Sequence, residues 1–198
     1  MRICEDVASA MEYLHGLTPP IIHRDLKSLN LLLARPLLHH HDLPKVKVAD
    51  LGLSRTLKAT QGVEGPDSDK SFSTSKSHDR MTMEVGTAQW MAPEVHMSES
   101  YNEKVDVYSF AMVLYEVAWQ RIPFFDEENR SSFSVERVIL GVRPDISRLP
   151  PGCPEELPAL IKVCWARSPA GRPRFSKVYP WLKAVAAEKG YNKWTVAL

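Results

Sequence analysis

The chain has 198 residues, 44% hydrophobic and 25% charged, with 25 Lys+Arg against 24 Asp+Glu for a formal charge of +1. That length suits one domain able to bury roughly 70% of its unfolded surface, and the composition lies outside the disordered range. The near-balanced charge argues against a protein built mainly to hold nucleic acid or anionic membrane. Cys4, Cys153 and Cys164 are odd in number and scattered, so neither a disulfide framework nor a paired-cysteine zinc site is readable. No apolar run approaches the ~20 residues a membrane helix needs. Glu5 and Asp6 stand where an export signal requires an apolar stretch, so a soluble, cytoplasmic protein is expected, with a nuclear one as the alternative.

Ile3, Val7, Met11 and Leu14 recur at helical spacing and predict a helix over 2–14, ended by Gly16. After Pro19-Pro20 comes the apolar pair Ile21-Ile22. Two short strands are predicted, Leu31–Leu33 and Val46–Val48, separated by an insertion rich in proline and histidine. Residues 54–83 are polar and without periodicity, a loop long enough to be functional or partly disordered. Val105–Trp119 is apolar nearly all round, which predicts a helix buried on every side. Further helices are predicted over Ser134–Leu140, Glu155–Trp165 and a stretch ending near Glu188, in which Pro180 either delays the start or kinks the helix.

The sharpest signal is His23-Arg24-Asp25-Leu26-Lys27-Ser28-Leu29-Asn30, which fits H-R-D-L-x-x-x-N at every specified letter. A chance match in a chain this long has a probability on the order of 10⁻⁴. Ala49-Asp50-Leu51-Gly52 follows at the place of D-F-G, with Leu51 for the usual Phe. Gly86-Thr87-Ala88-Gln89-Trp90-Met91 leads into Ala92-Pro93-Glu94. Asp106, Cys164-Trp165 and Gly171-Arg172-Pro173 come after, in the same order.

In these letters the chain resembles the C-terminal lobe of a protein kinase, nearest to the serine/threonine enzymes of the tyrosine-kinase-like group. The implied fold is mainly α: a helical bundle around one buried central helix, with a few short strands carrying the catalytic and metal-binding loops. The kinase lobe is expected over residues 1–187, with a catalytic loop at 23–30, an activation segment at 50–94 and a tail at 188–198. Cys164 and Trp165 are expected in its core.

The resemblance also implies roles. Asp25 would accept the proton of a protein Ser/Thr hydroxyl, and Lys27 would meet the transferring phosphate. Asn30 and Asp50 would offer oxygen ligands to Mg²⁺ on ATP, as hard cations prefer. Leu32 would lie under the adenine, while Thr87 and Trp90 would help dock the substrate. His23 and Leu51 would support the site, and Asp106 would accept hydrogen bonds from the backbone at His23 and Arg24. Glu94 would pair with Arg172. Arg24 would receive a phosphorylated residue of the activation loop, for example within Ser71–Ser77, placed there by an upstream kinase. His39-His40-His41 reads as a solvated loop tip rather than a metal site.

None of the nine glycines lie two apart, so a Gly-x-Gly phosphate loop is missing from these residues, as is a V-A-I-K-type lysine ahead of the catalytic loop. The N-terminal β-rich lobe is therefore expected to be absent, and the isolated chain to be inactive. Two readings stand: the lobe of an active serine/threonine kinase seen as a truncated domain, or a non-catalytic scaffold or decoy that binds kinase partners.

Overall fold

The computed structural model describes residues 1–39, 42–56, 88–125 and 133–187. The run Ser71–Ser77, Thr87, His40 and His41 lie outside them.

Helix α1 (Arg2–Gly16) runs two residues further than the periodicity predicts, and its most buried stripe is Cys4, Val7, Ala8 and Met11. Ile3 and Leu14 flank that stripe and are only partly buried. Two antiparallel ribbons follow. Strands β2 (Leu31–Leu33) and β3 (Val46–Val48) have the predicted limits and pair Leu31 with Val48 and Leu33 with Val46. The insertion between them opens with Ala34 bonded to the Lys45 carbonyl at 2.8 Å. Strand β1 (Ile21–Ile22) pairs with β4 (Arg55–Thr56), a partner only the fold reveals.

Helix α2 (Pro93–His96) is a single turn that begins on a proline, a residue whose missing amide costs nothing at a helix start. Helix α3 (Lys104–Trp119) is the centre of the fold: Val105 through Tyr115 are buried without interruption, as is Ala118. It stops where Gln120 adopts a left-handed backbone (φ 59°) and its amide closes on the Glu116 carbonyl at 2.7 Å. Each large apolar side chain fully buried around such a helix contributes about 1.5–3 kcal/mol, so this element anchors the core.

Helix α4 (Val135–Ile139) is capped by Ser134, whose hydroxyl accepts from the Arg137 amide. Helix α5 (Glu156–Cys164) buries Leu157, Leu160, Ile161 and Cys164 at helical spacing against α3. Helix α6 (Phe175–Ala187) packs on α1 and α5. It begins at Phe175, so Pro180 does not delay it; the proline sits inside the helix. Cys164 and Trp165 are in the core, as expected. The architecture is mainly α around one buried helix, with both ribbons gathered where the loops of the site emerge.

Candidate active site

The catalytic loop is pinned by two apolar side chains, Ile22 and Leu26, both buried in the core. Between and after them lie His23, Asp25, Lys27 and Asn30, all buried although polar. Arg24 has φ 71°, a left-handed backbone that costs a non-glycine residue of order 1–3 kcal/mol. Asp106 offsets that strain: its two carboxylate oxygens accept from the His23 and Arg24 amides, each at 2.8 Å. The expectation for Asp106 is met. A third contact to it, from His15 Nε2 at 2.8 Å, was not anticipated. His23 accepts the Asp25 amide at Nδ1 (3.3 Å) and reaches the Ala49 carbonyl through Nε2 (3.0 Å), a pattern satisfied by the Nε2–H tautomer. His23 thereby ties the catalytic loop to the turn that carries Asp50.

Asp25 is 6% exposed. Its Oδ2 accepts from Lys27 Nζ at 2.9 Å and from Asn30 Nδ2 at 3.0 Å, and Asn30 Nδ2 also donates to the Asp25 carbonyl at 2.7 Å. Oδ1 is buried and has no hydrogen-bond partner among the described residues. Leaving a buried acceptor unmade costs about 1–3 kcal/mol, so an orphaned carboxylate oxygen is an expensive feature to keep.

Asp50 stands on the second left-handed backbone of the site, φ 64°, and is exposed. Its Oδ1 accepts from the Gly52 amide at 3.1 Å, and a Cβ at Gly52 would stand only 3.0 Å from that oxygen. Glycine here gives the carboxylate room. The Ala49 amide bonds the Asn30 carbonyl at 2.8 Å, so the β2–β3 register brings Asn30 and Asp50 to the same end of the ribbon. Asn30 spends its amide nitrogen on Asp25, which leaves Oδ1 as its spare acceptor. One carboxylate and one amide oxygen suit Mg²⁺, which is usually held by one or two protein ligands plus substrate phosphates. No group of three or more His, Cys, Asp or Glu that could hold a metal ion occurs among the described residues. Leu32 and Leu33 on β2 are exposed, Leu32 at 55%, and so are Leu51, at 47%, and Leu53 in the loop after Asp50.

The end of the activation segment is fixed from below. Glu94 and Arg172, 3% and 1% exposed, form a two-pronged pair at 2.5 and 2.9 Å, as expected. Arg172 spends its remaining donors on the carbonyls of Ala166, Lys104 and Arg167, so all five are used. Trp90 is buried, and its indole N–H donates to Glu116 Oε2 at 3.0 Å. The other oxygen of Glu116 accepts from Ser28 Oγ at 2.8 Å. Burial raises the Glu116 carboxyl above its ordinary value, while the bonds from Ser28 and Trp90 oppose that rise. Neither Glu116 nor His15 carries a sequence signal of this role. Arg24 directs its guanidinium to the Leu53 carbonyl (3.1 Å) and over the Tyr101 ring (5.6 Å).

A cavity of about 250 Å³ opens elsewhere, among Tyr115, Trp119, Phe124, Arg143 and Asp145. It contains none of the catalytic-loop residues.

Residues 1–182 match the family described as protein tyrosine and serine/threonine kinase, and the chain belongs to it. The relatives it resembles are named serine/threonine protein kinases. It is 35% identical over 179 residues to RGS domain-containing serine/threonine-protein kinase A of Dictyostelium discoideum, which covers 90% of this chain and 13% of that protein. It is 36% identical over 187 residues to the probable serine/threonine-protein kinase roco8 of the same organism, 93% of this chain and 9% of the relative. To the serine/threonine-protein kinase CTR1 of Arabidopsis thaliana it is 38% identical over 185 residues, 92% of this chain and 19% of the relative. The chain thus spans less than a fifth of the length of each of these relatives.

Proposed function

We propose that these residues form the catalytic-loop lobe of a serine/threonine protein kinase, acting in transfer of the ATP γ-phosphate to a protein Ser or Thr hydroxyl. The observation that carries the reading is the orphaned Oδ1 of Asp25 beside Lys27 and Asn30. Lys27 and Asn30 hold Oδ2 and so fix the carboxylate plane. Oδ1 is left to orient an incoming hydroxyl and take its proton. Lys27 Nζ, bound to the same carboxylate, lies where it can also meet negative charge on the transferring group. Asn30 and Asp50 would hold Mg²⁺, and Leu32 would give the adenine an apolar floor. Bound Mg·ATP supplies the phosphoryl group and neutralises its charge. Trp90, with Thr87, would seat the substrate segment. Arg24, already in contact with the loop after Asp50, is the cation available to a phosphorylated activation-loop residue supplied by an upstream kinase.

The 198 residues contain no Gly-x-Gly loop and no upstream strand lysine, so the chain by itself is expected to transfer little phosphate. Joined on one polypeptide to a kinase N-terminal lobe, it should label a generic basic protein in the presence of Mg·ATP. Asp25→Ala should then lower turnover at least ~10² with little change in ATP affinity, and Asp50→Ala should weaken Mg·ATP binding. Turnover unchanged by Asp25→Ala would refute the assignment of the base.

The second reading, a non-catalytic lobe that binds kinase partners, draws on the open leucines of β2 and of the loop after Asp50. It requires that the joined protein bind a partner through Leu32 and Leu51 while failing to transfer phosphate under any condition.

A further inference from the structure

A single 3-10 turn, Ala88–Trp90, leads through Met91 and Ala92 into α2. The Ala88 carbonyl that opens it accepts two hydrogen bonds. The Met91 amide closes the turn at 3.3 Å, and His96 Nε2, on the last residue of α2, reaches the same oxygen at 3.2 Å. The end of the helix is thus folded back onto the turn that carries Trp90. The other ring nitrogen of His96, Nδ1, is buried and has no hydrogen-bond partner among the described residues.

These two observations fix the form of the ring. A carbonyl can only accept, so Nε2 carries the hydrogen, and in the neutral ring Nδ1 is a bare lone pair. Protonation would add an N–H at Nδ1 that meets no acceptor, and a buried donor left unmade is costly.

We propose that His96 is a positioning residue that clips the substrate-docking turn Ala88–Trp90 to α2 in its neutral form and releases the turn on protonation, so that protein substrate binds less well in acid. What the clip serves rests on the kinase reading; the clip itself rests on geometry alone. The surrounding charges do not reverse it. On α2 the acid is Glu94, whose carboxylate is committed to Arg172. The turn itself contains no titratable group. Helix α4, which packs on α2, brings Glu136 and Arg137, opposite in sign and both exposed. Burial accordingly holds His96 below its ordinary 6.5, against smaller opposing pulls from the Ala88 bond and Glu94. A lowered imidazole makes its full contribution above the ordinary value and loses it as pH falls through the lowered one.

The first test uses the 198-residue chain. Long-range ¹H–¹⁵N spectra report the tautomer and charge of each imidazole, with His96 assigned by its loss in His96→Gln. His96 should carry hydrogen on Nε2 alone near neutral pH and stay mostly neutral at about pH 6, where an ordinary imidazole is mostly protonated. In the chain labelled with 5-fluorotryptophan, the ¹⁹F resonance of Trp90, assigned by its loss in Trp90→Phe, should step at the His96 midpoint. Glutamine keeps an N–H for the Ala88 carbonyl without a titrating proton, so His96→Gln should abolish the step. Hydrogen on Nδ1 near neutral pH, an ordinary midpoint, or a Trp90 resonance without the step overturns the clip. So does a step that survives His96→Gln.

The second test uses the chain joined to a kinase N-terminal lobe. As pH falls through the His96 midpoint, KM for a protein substrate should rise a few-fold, the worth of one neutral hydrogen bond, with kcat unchanged. His96→Gln should hold KM level. A KM indifferent to that midpoint, or a rise that His96→Gln retains, overturns the positioning role. A Trp90 step that follows His96 in a joined protein unable to transfer phosphate upholds the clip and refutes the kinase reading instead.

Discussion

Glu94 and Asp25 are both carboxylates buried beside a cation, yet they are satisfied in opposite ways. Glu94 has both oxygens on Arg172, and Arg172 has every donor engaged. Asp25 crowds Lys27 and Asn30 onto one oxygen and leaves the other without a partner among the described residues. The backbone follows the same division. Beneath the site Glu94 sits in a regular turn of helix, whereas Arg24 and Asp50 hold left-handed conformations beside the reactive groups. A closed pair serves to fix one segment to another; an open one retains a lone pair for chemistry at a cost in stability. Burial and charge alone do not tell these two uses apart, and satisfaction of the hydrogen bonds does.

The comparison is most exposed to failure at its base. Arg172→Met should destabilise the fold by about 3–5 kcal/mol, because Glu94 would be left charged and buried without a partner. Urea unfolding measures this, and the double change Glu94→Leu with Arg172→Met should recover much of the loss. A cost below about 1 kcal/mol for the single change would mean that the pair is idle.

At the open pair the pattern should invert. Asp25→Asn keeps an oxygen for Lys27 and Asn30 and alters only the unpartnered side of the group, so it is expected to cost clearly less stability than Arg172→Met. In a polypeptide that also carries an N-terminal lobe, the same change should lower turnover at least ~10². Loss of stability in step with activity would make Asp25 a structural residue like Glu94.

The ribbon beside the site gives a third contrast. Leu32 and Leu33 on β2 and Leu51 and Leu53 in the adjoining loop are exposed, so the 198-residue chain should self-associate at tens of micromolar (roughly the range in which such surfaces aggregate) while its helical core stays folded. Leu32→Ser and Leu51→Ser should reduce that association in light scattering and change stability by less than about 0.5 kcal/mol. A monomer indifferent to both changes would show these leucines to be covered.

Two smaller effects follow from local geometry. Gly52→Ala places a Cβ against Asp50 Oδ1, so the carboxylate must turn, and Mg·ATP affinity should fall a few-fold without loss of fold. Asp145, away from the site, is held below its ordinary 3.8 by the hydroxyl and amide of Ser147. A depressed carboxyl contributes stability above its unfolded value and loses it as pH falls through the folded one. Acid unfolding should therefore set in slightly earlier in the unaltered chain than Asp145→Asn would suggest by its own stability at neutral pH, the gap between the two narrowing below pH ~4.

Much of this was legible in the letters. The strands Leu31–Leu33 and Val46–Val48 are short apolar runs, and α3 is apolar on all sides, both local signals. The pairings of Glu94 with Arg172 and of Asp106 with the loop backbone were readable only through the family resemblance, since 78 and 83 residues separate the partners. Where no motif letter pointed, such pairs went unseen. His15 meets Asp106 across 91 residues, Ser28 meets Glu116 across 88, and Asp6, read at first only as an acid in the wrong place for an export signal, bonds the Val46 amide at 2.8 Å and so fastens β3 to α1.

The sequence by itself determined which residue types stand in the catalytic loop, which stretches coil or extend, and the family to which the chain belongs. Those follow from short-range periodicity and from a run of letters too specific to arise by chance. Only the tertiary structure decided that Asp25 keeps one oxygen free and that Glu116 has none to spare. The number of donors around a carboxylate depends on side chains delivered by distant segments, and their arrival is a matter of packing that no local pattern encodes.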